Sequence, residues 1–213
     1  AEGRGVKRTP RLPESRGVTV ATVGFYGSRG LPASYAGAIA DAVARFAAAG
    51  RTIATGCAVG ADAYALAAAL ESAGPGRTVV FAAFDASGAG SWAQSNVAAV
   101  QAAAARGATV YWLAGGPLTH RLVWRLANRS KAMVQSLSTL GYDEHSGLVG
   151  WVTRAPPGSP GSWGTVREAI ARRLRCVVFP TGWDVRLAPI YAPGRWIQAG
   201  AGMWASGLLW AGG

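Results

Sequence analysis

Six short apolar runs alternate with five segments of helical period between residue 17 and about residue 182, and this alternation restricts the fold more than any other feature. GVTVATVGFY (17–26) is β-branched and apolar throughout, as a strand covered on both faces must be. RTIAT (51–55), RTVVFAAF (77–84), ATVYWL (108–113), GLVGWVT (147–153) and RCVVF (175–179) repeat the type. Between them, Tyr35 to Ala49 places Ala36, Ile39, Ala40, Val43 and Phe46 at helical spacing, and Gly50 ends it. Asp62 to Ser72, Ala93 to Arg106, His120 to about Leu137 and Thr165 to Leu174 read as further helices. Strand and helix in strict alternation with short connections require right-handed crossovers. The expected fold is therefore α/β: a Rossmann-like, doubly wound, mostly parallel sheet with helices on both faces. Ligands in such sheets lie outside the carboxyl ends of the strands, where the strand order reverses.

The 213 residues suffice for one such domain with a sizeable core, and not for two. Half of them are apolar and only 15% are charged, which excludes a disordered chain. Residues 1–16 stand apart: Arg4, Lys7, Arg8, Arg11 and Arg16 with Pro10 and Pro13 form a basic arm with nothing to bury, expected to be disordered. It lacks the apolar stretch of a secretory signal. Residues 17–182 form the expected domain. Residues 183–213 form a Trp-rich extension packed on it, with Trp183, Trp196, Trp204 and Trp210 among Gly and Pro. A hairpin turning at Ala192-Pro193-Gly194 would bring those indoles onto the sheet edge; an exposed aromatic surface for a partner or for bases is the alternative. Trp196 to Gly213 is the long uncharged stretch of concern, and it barely reaches spanning length, so no membrane is expected. Cys57 and Cys176 lack metal-ligand spacing and are too few for a disulfide scaffold, which fits a reduced, cytoplasmic setting. No metal site and no cofactor is implied.

Lys and Arg number 21 against 10 Asp and Glu, a formal charge of +11, so a polyanionic partner is expected. Four segments are placed to meet one. Gly24-Phe25-Tyr26-Gly27-Ser28-Arg29-Gly30 follows the first strand with spacing G-x-x-G-x-x-G, which is not the dinucleotide fingerprint. Its glycines let backbone N–H groups approach a phosphate, Ser28 adds a hydroxyl and Arg29 a forked cation; a tight turn needing only glycine would read alike. Gly56, Cys57, Ala58, Gly60 and Asp62 follow the second strand as an open backbone cradle at a helix N-terminus, or Asp62 merely caps that helix. Cys57 would need a base to act as a nucleophile, and neither His120 nor His145 has a visible link to it. Asn128 and Arg129 sit in the fourth helix, where Arg121, Arg125 and Arg129 share one face with no carboxylate between Leu118 and Gly141. That stripe is either a solvated face or a footprint for polyphosphate. Gly161, Ser162, Gly164 and Thr165 form a turn opening the fifth helix, with Thr165 and Glu168 spaced as a capping box.

The order of these segments resembles the DNA-processing protein A (Smf) family, in the Smf/Lonely Guy (SLOG) Rossmann-like superfamily. That family runs GSR, then SGxAxGID with a following AL, then RN, then SGSxxT before a strand ending in proline. Here stand Gly27-Ser28-Arg29, Thr55 to Asp62 with Ala69-Leu70 behind, Asn128-Arg129, Gly161-Ser162-x-x-Thr165 and Phe179-Pro180. The family's Ala-His is Tyr64-Ala65 here. The resemblance implies a protein that binds single-stranded nucleic acid or a nucleotide through Gly27, Ser28, Arg29, Gly56 to Asp62, Asn128, Arg129 and Gly161 to Thr165, without catalysis, and that self-associates as a homo-oligomer. Pro160 to Glu168 also resembles the PGGxGTxxE hallmark of the Lonely Guy family, with Ser162 for the second glycine. That likeness implies the alternative, a nucleoside 5′-monophosphate phosphoribohydrolase with Arg129 and Glu168 as catalytic residues.

Overall fold

The computed structural model describes residues 21–139, 147–191, 194–199 and 206–212. The expected basic arm, the first residues of the first run, His145, Trp204 and the Ala192-Pro193 pair lie outside the described residues. Among the described residues eight strands make one sheet: β1 (Thr22–Gly27), β2 (Thr52–Thr55), β3 (Thr78–Phe81), β4 (Thr109–Tyr111), β5 (Gly147–Val152), β6 (Arg175–Pro180), β7 (Gly194–Gln198) and β8 (Leu208–Gly212). Five helices connect the first six: α1 (Ala36–Ala48), α2 (Ala61–Ser72), α3 (Val97–Ala105), α4 (Leu122–Thr139) and α5 (Pro160–Ala171). The strand order is β4-β3-β2-β1-β5-β6-β8-β7, with β1 to β6 all parallel. This is the Rossmann-like, doubly wound α/β arrangement expected from the alternation. The order reverses between β1 and β5, so the crevice outside their carboxyl ends is the site such a sheet offers.

Alternation along the strands sorts the core into two layers. Val23 and Phe25 of β1 and Val149 and Trp151 of β5 face Ile39, Val43 and Phe46 of α1 and the alanines of α2. Tyr26, Leu148 and Val152 face the other way, onto Met133, Val134 and Leu137 of α4 and Trp163 and Val166 of α5. Alanines on α2 let it lie close beside α1 and the sheet, which is why its apolar face is so lightly built. α3 joins the first layer through Val100 and Ala103, packed with Leu66 and Val80. α4 is the crossover to the second layer, and it carries the chain past β1 to start β5.

Three elements begin elsewhere than the sequence suggests; the smallest of the three shifts is in α3, which starts at Val97 and not at Ala93, because the chain at 94–96 bonds to the segment after β2. α5 starts at Pro160, not at Thr165, because proline at N1 gives up an N–H that has no helical partner anyway. The Gly161-to-Thr165 segment is thus the first turn and a half of a helix, and Thr165 Oγ1 donates to Gly161 O at 3.0 Å instead of capping. The terminal hairpin does not turn at Ala192-Pro193-Gly194. Gly194 opens β7, whose partner is β8, so the connection runs from Gln198 to Leu208. β8 then adds antiparallel to β6, with Val177 opposite Leu209. Trp183 Nε1 donates to Val152 O at 2.6 Å and Trp196 Nε1 to Pro189 O at 2.7 Å. Trp163 meets Trp183 edge to face at 5.6 Å, and Trp196 meets Trp210 at 5.1 Å, so these indoles form one aromatic layer over β6 and α5. No described helix is long and apolar enough to cross a membrane.

Trp151 is the central plank of the first layer, stacked on Phe179 at 4.7 Å and on Phe25 at 6.4 Å. Trp151→Ala is expected to cost about 3–5 kcal/mol. Denaturant unfolding should show a lower midpoint at unchanged slope.

Candidate nucleic-acid interface

β1 ends at Gly27 and the chain turns outward at Ser28. Ser28 N–H donates to Trp151 O at 2.9 Å, which carries the β1–β5 ladder one step past the strands. The Ser28 hydroxyl accepts from Thr153 N–H at 3.0 Å and meets the Ser159 hydroxyl at 3.3 Å. Ser28 thus ties together both sides of the switch point. Beyond it Arg29 and Gly30 are exposed, and their backbone N–H groups have no protein acceptor among the described residues. Leu31 N–H closes the turn on Ser28 O at 3.3 Å.

The segment after β2 is anchored to this turn from behind. Gly60 has φ +76°, and a Cβ there would press on the carbonyl oxygens of Ser28 and Arg29. Ala61 N–H donates to Ser28 O at 3.3 Å. Asp62 on the first turn of α2 is 4% exposed, and its Oδ2 accepts from Ala58 N–H at 3.3 Å and from Arg129 Nη1 at 3.3 Å. A Cβ on Gly56 would collide with the Arg129 guanidinium and the Asp62 carboxylate, so glycine is required there. Burial pushes the Asp62 carboxyl up, while Arg129, the Ala58 N–H and Arg29 pull it back. Burial likewise disfavours the Arg129 charge, but the Asp62 carboxylate, Cys57 and the hydrogen bond to Asp62 together outweigh it and the guanidinium is held charged.

This geometry corrects two expectations, the open cradle and the solvent-facing arginine stripe, and bears on Cys57. Gly56 to Asp62 is not an open cradle: its residues are mostly buried, Ala58 N–H is bonded to Asp62 and Ala61 N–H to Ser28 O, and Val59 N–H reaches Gln94 O at 2.9 Å. The chain before α3 covers it, with Asn96 N–H on Cys57 O at 2.9 Å. Cys57 is a neutral packing residue: burial pushes its thiol up, and its Sγ accepts from Ala83 N–H at 3.4 Å. The arginine stripe of α4 is turned inward. Arg125 donates to Ala83 O at 2.8 Å and Gly90 O at 3.0 Å, Arg129 is 9% exposed against Asp62, and Arg121 alone of the three is exposed. Long arginines can reach the carbonyl groups at the strand ends, and periodicity does not distinguish that from a solvated face.

Of the other expected site residues, Asn128 turns to Gly115 O at 3.5 Å. Ser162 and Thr165 are buried against the core side of α5, whereas Gly161 is exposed. Glu168 holds Arg172 at 2.9 Å, eight residues into α5 or about 12 Å from its start, on a helix running away from the carboxyl edge. The structure therefore joins Gly27 to Arg29, Gly56 to Asp62, and Arg129 at one place, and leaves Glu168 out of it. Sequence reasoning missed Trp124. It is 65% exposed on the first turn of α4, beside Val123 at 66%, with Arg121 one turn before it. Its signal was available: Trp124 shares a helix face with Ala127 and Lys131, both exposed, opposite Met133 and Leu137.

No protein-family model and no curated protein matches the sequence. Solved structures match the fold, two of them of DNA processing protein A. DNA processing protein A from Helicobacter pylori, which binds single-stranded DNA, superposes with TM-score 0.54 at 18% identity over 75% of this chain and 65% of its own. DNA processing protein A (DprA) from Streptococcus pneumoniae superposes with TM-score 0.54 at 19% identity over 78% of this chain and 52% of its own. The fold is DprA-like. The chain spans about two thirds of the length of the first DprA structure and half of the second.

The buried pair makes this DprA-like domain sensitive to one proton-sized change. Asp62→Asn keeps an acceptor for Ala58 N–H but strands the Arg129 charge, and is expected to cost about 3–5 kcal/mol. Adding Arg129→Met should restore much of that loss in a double-mutant unfolding cycle. Full additivity of the two losses would show that the pair is not coupled.

Proposed function

We propose that this chain binds single-stranded nucleic acid along the carboxyl edge of its parallel sheet, as a binding protein without chemistry of its own. One observation carries the reading: at the β1/β5 switch point an exposed guanidinium, Arg29, stands beside two exposed backbone N–H groups without a protein acceptor among the described residues. That is a phosphate-sized set of donors. Arg154, exposed just past β5, adds a second cation on the other side of Ser28. Trp124 supplies what a phosphate site lacks, a flat apolar surface for a base. The first turn of α4 lies over the end of β3, where Arg125 grips Ala83 O, and Arg29 lies over β1, two strands along. Two strand spacings are about 10 Å, a span of a few nucleotides. The H. pylori protein of like fold binds single-stranded DNA, which supports the same ligand class here. Net charge of +11 supports a polyanion.

The phosphoribohydrolase reading has less support. Its two acting residues would be Arg129, buried in an ion pair with Asp62, and Glu168, paired with Arg172.

Fluorescence anisotropy with a labelled oligothymidylate tests the proposal. Affinity is expected to fall linearly with log salt, by a slope of about −0.7 per phosphate contacted. Arg29→Ala is expected to cost about 1.5–3 kcal/mol of binding, as loss of a charge-assisted contact does. Trp124→Ala is expected to cost about 1–3 kcal/mol. Arg45→Ala, the same charge change on the last turn of α1, is the control and should leave affinity unchanged. Equal losses from Arg29 and Arg45 would reduce the site to general electrostatics, and unchanged binding in both would refute it.

A further inference from the structure

A second concavity lies next to the crevice and uses none of its residues. It is a cleft of about 280 Å³, just under the common range for small-ligand sites, between the turn after β5, one face of α5 and the start of the terminal extension. It is lined by Pro157 from the turn, by Pro160, Trp163, Gly164 and Arg167 from α5, and by Tyr191. Residues 160, 163, 164 and 167 follow i, i+3, i+4, i+7, so the α5 lining is a single continuous helix face.

The walls are built. Trp163 is 5% exposed and locked by its Nε1 on Arg154 O at 3.0 Å and by edge contacts to Trp183 and Trp196. Tyr191 is fixed by the Trp210 ring at 5.8 Å. Burial raises its phenol pKa while Arg167 opposes that rise, so the guanidinium lies within electrostatic reach of the phenol. At Gly164 a Cβ would meet no atom within 4 Å, so the cleft has free depth above the helix backbone. Glu168, the neighbouring acid, is turned to Arg172 and leaves Arg167 without it. Flat aromatic and proline surfaces beside one cation suit a planar ring joined to an anionic group. Ser159, which meets the Ser28 hydroxyl, immediately precedes Pro160, so one wall of the cleft adjoins the turn after β1.

We propose that this cleft is a subsite for one nucleoside monophosphate unit, its base against Tyr191 and the prolines and its phosphate on Arg167. The unit comes either from a strand already held in the crevice or from a free mononucleotide. The proposal rests on the nucleic-acid reading above for the first source only.

Calorimetric titration with dTMP and with an oligothymidylate distinguishes the sources, using the full chain and three variants. Gly164→Leu fills the cleft and raises helix propensity, and Arg167→Glu reverses its charge, so helix formation is not the variable. Thermal unfolding of each variant is recorded alongside. For a free-nucleotide site, dTMP binding is expected to fall about tenfold or more in both variants, and to survive Arg29→Ala. For a strand subsite, dTMP does not bind, and both variants weaken a long oligonucleotide by a similar factor. If dTMP fails to bind and the oligonucleotide binds both cleft variants as it does the original chain, the subsite is refuted while the crevice stands. Binding of dTMP that is indifferent to both variants refutes it equally. Loss of all oligonucleotide binding in the original chain, with dTMP still bound through the cleft, refutes the crevice and keeps the subsite.

Discussion

The carboxyl edge of this sheet is held together by a buried ion pair. Asp62 stands at the N-terminus of α2 in one layer, and Arg129 reaches it from α4 in the other, across the ends of the strands. Desolvating both charges is costly, and their attraction offsets that cost only with good geometry and further hydrogen bonds. Here Ala58 N–H supplies one such bond, and the positive end of α2 favours the carboxylate. The return is positional. With Asp62 fixed, Ala61 N–H meets Ser28 O and Gly60 packs beneath the turn, so the Ser28-Arg29-Gly30 loop is presented rigidly. Arg125 does the same one turn earlier by tying α4 to Ala83 O and Gly90 O.

This arrangement divides the positive charge by purpose. Arg125 and Arg129 are bound into the fold, whereas Arg29, Arg121 and Arg154 are exposed and are the cations that the proposed nucleic-acid site would use. Two of the acidic side chains on the second half of the chain are occupied by neighbours, Glu168 by Arg172 and Asp184 by Arg186. The exposed Arg29, Arg121 and Arg154 have no partner among those pairs, and such charges attract phosphate over about a Debye length. Aromatic surface is distributed beside them, at Trp124 on one flank and at Tyr191 on the other. Charge fixes where a strand lies; aromatic surface decides how its bases are held.

The sheet was legible from the sequence because its strands are buried on both faces and so read as continuous apolar runs, where a half-exposed strand would alternate apolar with polar residues. Leu148 to Val152 and Cys176 to Val178 are of the continuous kind. The turn after β1 was legible because Gly27 marks it, where a Cβ would press on the Trp151 carbonyl and on Ala61. What escaped had physical reasons. Periodicity finds that Arg121, Arg125 and Arg129 share a face but not whether carbonyl oxygens wait beneath it. The glycines around Ser162 concealed a helix start that Pro160 signals at N1. The terminal hairpin is fixed by β8 pairing with β6, a contact between distant residues that no local turn propensity encodes.

Hydrogen exchange with and without a bound oligothymidylate tests most directly whether the carboxyl edge is the binding surface. Slower exchange is expected at the Arg29 and Gly30 amides and in the first turn of α4 around Trp124, with the α2–α3 surface and the last turn of α1 unchanged. Those amides are free of acceptors among the described residues or near a helix start, so protection there reports the ligand. Protection confined to any other face, with residues 28–31 exchanging at their original rate, would contradict the assignment of this edge.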